Sequence, residues 1–168
     1  MDMMIRDVKP MNQRENYALK MFNKLKKCPL GKWLFSVYIS FKAPYFGTIR
    51  PLIRILHKDY CECFLRKRWR VQNHIGTVHV IAICNGLEMA MGVLAEASIP
   101  KHLRWIPKGM TLDYTAKAGS NIRCVAEVTQ PWQPGDLMVE VTAYDKDDVV
   151  VVKGQIKLWI SEKKNKQN

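Results

Sequence analysis

WRVQNHIGTVHVIAICNGLEMAMGVLAE, residues 69–96, is the stretch from which the fold of this chain is read. It opens on a turn, Asn73-His74-Ile75-Gly76-Thr77, and continues as a run of small and apolar residues. From His79 to Glu96 there is no Lys, Arg or Pro, although the chain as a whole carries a net charge of +12. Gly86, Ala90, Gly92 and Ala95 fill little core volume, but they let a helix approach neighbouring backbone closely. Before its end the apolar run is interrupted by Asn85 and Glu88, three apart and so on one helical face. A carboxylate in so apolar a helix must find partners, stay neutral or reach a cavity.

The rest of the chain frames that helix. Its 168 residues suffice for one domain with a substantial core, and 48% apolar with 25% charged residues is a globular composition. The positive balance predicts attraction to polyanions: nucleic acid, acidic membrane surfaces or phosphate-bearing ligands. Nucleic acid is not expected, because the cations are spread along the chain with no binding motif that interleaves them with aromatics. Five cysteines (Cys28, Cys61, Cys63, Cys84, Cys124) with no cleavable leader read as reduced thiols in a cytoplasmic protein. Cys61-Glu62-Cys63 alternates like a strand and lacks a Cys-x-x-Cys partner, so no metal is expected.

Residues 1–13 read as a polar start, and 16–27 as a short basic amphipathic helix with Tyr17, Met21, Phe22 and Leu25 on one face. Residues 33–41, aromatic and apolar, are too short to span a bilayer. This arm is expected to pack as a helical cover rather than to lie on a membrane surface. Pro44-Tyr45-Phe46-Gly47 is a turn, after which the pattern takes period two. Strands are predicted over 52–56 and 61–69, and then over 109–116, 121–130, 136–145 and 149–161, the last two as a hairpin around residues 145–148. Pro100 and Pro107 are expected to bracket a connection, Thr77 to cap the helix, and 61–69 to carry a basic face of Arg66, Arg68 and Arg70. The organisation is an N-terminal helical extension (1–43), a core domain (44–161) and a basic tail (162–168). Two strands, a long helix and four strands fit an α+β antiparallel sheet wrapped around one helix.

That order, with Asn-x-x-Gly-Thr-x-His at the helix entrance, resembles the hotdog fold of acyl-CoA thioesterases. More narrowly, the 44–47 turn, the basic segment ending in Trp69 and the 73–77 turn are similar to an uncharacterised, domain-of-unknown-function branch of that superfamily. In its phenylacetyl-CoA-type branch an Asn is followed six residues later by a His and two glycines, and an acid stands nine positions after the His. Asn73, His79 and Glu88 occupy those spacings. The resemblance implies a homodimer or a dimer of dimers, with active sites built from both subunits and no cofactor beyond the coenzyme A of the substrate. It makes Glu88 the base or nucleophile, has Asn73 orient water or thioester, and has backbone N–H groups near Val80 polarise the carbonyl; His79 is a catalytic candidate by its spacing, with a structural ring bonded to backbone as the plainer reading. Arg66, Arg68 and Arg70 become candidates for the coenzyme A phosphates, and Asn85 for support of Glu88 or the dimer contact rather than for touching substrate, with which it is nonetheless grouped. The chain departs from the pattern at Val80 and Ile81, which replace the Gly pair and hold a ligand farther from the backbone. The alternative function is a non-catalytic module that binds acyl-CoA or lipid.

Overall fold

The computed structural model describes residues 16–163; the polar start and Lys164 and Lys166 of the basic tail lie outside them. Two helices, α1 (Tyr17–Leu25) and α2 (Gly31–Lys42), and a 3-10 segment (Pro44–Ile49) precede the hairpin β1 (Leu52–His57) and β2 (Tyr60–Leu65). A short 3-10 turn (Trp69–Val71) leads to the central helix α3 (Val80–Ser98). Four strands then follow, β3 (Leu103–Tyr114), β4 (Ile122–Glu127), β5 (Gly135–Tyr144) and β6 (Val150–Glu162). All six strands form one sheet in the order β1-β2-β4-β5-β6-β3, every neighbouring pair antiparallel.

The sheet wraps α3, whose inward face (Ile83, Leu87, Ala90, Leu94, Ala97) is buried against β2 and β4. Each large aliphatic side chain removed from water there contributes about 1.5–3 kcal/mol. By length and composition α3 could cross a bilayer, yet the sheet buries most of it, as for the core helix of a globular domain. The close approach expected of its small residues occurs at Gly86, where a Cβ would lie 2.8 Å from Cys124 Sγ. All five cysteines are free. Cys61, Cys63 and Cys124 are fully enclosed, and burial pushes the Cys63 thiol up to about 12, so these groups act as small apolar side chains.

The departures from expectation have physical causes. In α1 it is Leu19 and Phe22 that are buried, while Tyr17 is 72% exposed, because α1 lies across both α2 and α3 rather than on one flat surface. Strand β2 stops at Leu65 instead of Trp69: its neighbour β4 begins opposite it at Ile122, and beyond that point Asn121 Oδ1 takes the Lys67 N–H at 2.9 Å. Strand β3 starts at Leu103 and runs through Pro107, with a bulge between Pro107 and Gly109. Proline removes a ladder donor, but β3 is an edge strand, where a missing N–H on the open side costs nothing. Lys163, assigned from sequence to the basic tail, continues the pairing with its N–H on His102 O at 2.8 Å and its Nζ on Lys101 O at 2.9 Å.

Candidate active site

The entrance to α3 is built by Asn73. Its Oδ1 accepts the N–H groups of Ile75 and Thr77, each at 3.1 Å, while its Nδ2 donates to Thr77 Oγ1 at 2.8 Å. Gly76, at φ +74, closes the turn in a region that β-carbons disfavour. The Asn73 side chain is thus engaged in shaping the loop. Thr77 is consumed in the same turn and does not cap the helix, contrary to expectation. His79 is the cap: its Nδ1 accepts the Ile81 N–H at 3.1 Å and its carbonyl the N–H groups of Ala82 and Ile83. A neutral His79 that accepts at Nδ1 carries its proton on Nε2.

One first-turn donor is left over. The Val80 N–H has no partner among the described residues. It sits at the positive end of a 19-residue helix, where the dipole amounts to about half a charge. The Val78 N–H bonds Ala118 O at 2.8 Å and draws the β3–β4 connection against this point. Between them lies a groove of about 450 Å³, lined on one side by Asn73, His74, Thr77, His79, Val80 and Ile83 and on the other by Tyr114, Thr115, Lys117 and Ala118.

Glu88 is not in that groove. It stands nine residues beyond His79, about 14 Å along the axis at 1.5 Å per residue. There it is half-buried and, among the described residues, has neither hydrogen bond nor ion pair. It belongs to an open strip of α3, with Ile81 and Glu96 exposed and Cys84 and Gly92 half-buried. Burial raises the pKa of the Cys84 thiol, a backbone hydrogen bond partly offsets this, and the Glu88 charge adds a smaller push upward. The strip is bordered by β3, whose Trp105 donates its Nε1–H to Glu96 Oε1 at 2.9 Å. Asn85 turns instead toward the 3-10 segment, with long contacts from its Nδ2 to Thr48 Oγ1 (3.3 Å) and Tyr45 O (3.4 Å); its buried Oδ1 is without a partner.

The basic face divides. Arg66 is exposed on the coil after β2. Arg68 donates from Nη2 to Thr48 O at 3.0 Å, and its buried Nε has no acceptor. Burial, and then the charges of Arg50 and Arg70, lower its pKa from the usual arginine value. Three guanidinium groups crowd together, and among the described residues none of them is in an ion pair. Arg50 is absent from the expected site because its place depends on the left-handed turn (φ 48) that ends the 3-10 segment, which no periodicity announces. Lys117 was likewise readable only as part of a loop.

Residues 31–160 match the family described as a domain of unknown function, DUF4442. A structural-genomics crystal structure is 42% identical to the chain, covers 88% of it and 99% of its own length, and superposes with a TM-score of 0.77. A thioesterase family protein from Silicibacter pomeroyi (18% identity, 78% of this chain and 99% of that one, TM-score 0.65) shares the fold. So does a Pseudomonas aeruginosa protein described as a probable thioesterase (20%, 74% and 91%, TM-score 0.66). No functionally curated protein matches the sequence. With a six-stranded sheet wrapped around one helix and a match that spans most of its length, the chain belongs to the DUF4442 family and carries the hotdog fold of thioesterases.

Proposed function

We propose that the protein hydrolyses the thioester of an acyl-coenzyme A or a related carrier. The observation that carries this reading is the unpartnered Val80 N–H, facing a groove at the positive end of α3. Such a donor binds the oxyanion that forms when water attacks a thioester carbonyl. His79 Nε2–H offers a second polar contact at the same mouth, and the Asn73 turn holds the mouth open. Glu88 activates the water. Because its own chain keeps Glu88 about 12 Å along the helix from Val80, the reaction requires Glu88 of the partner subunit. Supporting this is the edge strand β3, which presents unpaired backbone and exposed Ile106, Met110 and Tyr114 beside the open strip of α3.

A panel of acyl-CoA thioesters with free-thiol detection tests the reaction. Turnover is expected; saturable binding without thiol release selects the non-catalytic module that the missing Gly pair would suit. Sedimentation tests the assembly. A dimer or larger species is expected at micromolar concentration, and a clean monomer of 19.5 kDa would sink the two-subunit site.

The arginines supply a third expectation. Arg50, Arg68 and Arg70, crowded without an acid, suit the phosphates of coenzyme A, with the Arg68 Nε as an available donor. Arg68→Gln is expected to weaken coenzyme A binding about tenfold or more, since a hydrogen bond to a charged group is worth roughly 1.5–3 kcal/mol. A phosphate-free pantetheine thioester should lose much less. Equal losses for the two ligands would move the phosphate site elsewhere.

A further inference from the structure

Helix α2 has two faces. Phe35 and Ser36 are buried beneath it. Phe35 meets Phe22 of α1 edge to face at 5.2 Å, and Ser36 Oγ accepts the Ile53 N–H of β1 at 2.8 Å, so the helix is pinned to the domain. The other face is open. Leu30 (66% exposed), Trp33, Leu34, Val37 and Phe41 (79% exposed) follow the i, i+3, i+4, i+7, i+11 spacing that lines up one side of a helix. Large apolar side chains grouped in this way on a surface mark a docking face.

The charge around this face decides what covers it. Between Asn16 and Leu56 the sequence has eight Lys or Arg and no Asp or Glu. Lys24, Lys26, Lys27, Lys32 and Lys42 are all exposed, and none of them is in an ion pair among the described residues. A second copy laid on this face would set lysines against lysines. The patch is also a convex helix side rather than a groove into which a peptide could settle. Apolar and aromatic side chains flanked by lysines, on a helix of 12 residues that is too short to cross a bilayer, are the features of a helix lying in a membrane interface.

We infer that the outer face of α2 docks the protein on anionic lipid bilayers, with Trp33 and Phe41 inserted at headgroup level and the flanking lysines on lipid phosphates. This assignment is independent of the proposed hydrolysis. The test is co-sedimentation of the full chain with vesicles of phosphatidylcholine alone or with 30 mol% phosphatidylglycerol, at low and high salt. Binding to the anionic vesicles is expected to be about tenfold stronger or more, at roughly fivefold per lysine near the surface, and to fall with salt. Trp33→Ser/Phe41→Ser, both at exposed positions, should lower it about tenfold or more. Lys27→Glu/Lys32→Glu, both at exposed positions, should abolish the preference for anionic lipid while leaving the apolar face itself unchanged. Equal binding to both vesicle types, or binding indifferent to both double substitutions, would overturn the assignment. So would Trp33→Ser/Phe41→Ser converting an oligomer to a monomer without lipid, which would give the face to a second copy.

Discussion

Replacing Glu88 with Gln is expected to slow hydrolysis of the best thioester by about 10²–10⁴-fold, the usual loss when a positioned base is removed. That corresponds to about 3–5 kcal/mol of barrier. The amide keeps the size and hydrogen-bonding shape of the acid but cannot take a proton, so substrate binding should persist. Stability should persist too. Glu88 has no ion pair or hydrogen bond among the described residues, and the substitution therefore strands no partner. A carboxylate that served only structure would give a different result, a destabilised protein losing binding and turnover together. Steady-state kinetics beside a thermal melt distinguish the two. Wild-type turnover by the purified variant would show that the base is elsewhere.

A second large effect is expected at Gly31, where α2 turns away from α1. A Cβ built there would lie 1.6 Å from Leu25 O, a backbone atom that cannot swing aside. That carbonyl is already held by the Cys28 N–H at 2.9 Å, and the Gly31 N–H donates in turn to Cys28 O at 3.0 Å. Gly31→Ala must therefore open the elbow and part Phe22 from Phe35. Overpacking of this kind costs about 3 kcal/mol at the upper end of the common range. In a chain of this length the melting temperature should fall by about 6–12 °C. Calorimetry checks this, and a shift under about 2 °C would show that the elbow relaxes freely.

The hotdog order was legible because period two and period 3.6 separate cleanly on either side of the Asn73–Thr77 turn. Strand ends were less legible for specific reasons. Arg66 to Arg70 keep alternating after the ladder has run out, since side-chain pattern does not reveal that β4 has no residue left to pair. Pro107 reads as a breaker unless its strand is known to be an edge, which is a property of the whole sheet. At the site, the spacing of Asn73, His79 and Glu88 was visible, but not that Asn73 and Thr77 spend their side chains on one another. Nor does a helical repeat say that Glu88 lies outside the groove that His79 and Val80 line. Arg50 joins Arg68 only through the fold of the 3-10 segment that it ends, whose Thr48 carbonyl accepts from Arg68.

The position of β3 also bears on the order in which the protein is made. Its single ladder partner is β6, so the strand is synthesised before β4, β5 and β6 and must wait for all three. The hairpin of β1 and β2 can pair at once, whereas the opposite margin of the sheet closes only after a long intervening loop has been drawn in. During translation, then, a nascent chain cannot present a finished β3 edge to a neighbour on the same polysome. The margin on which two subunits would meet comes into being last, so that any subunits pairing there would already be folded.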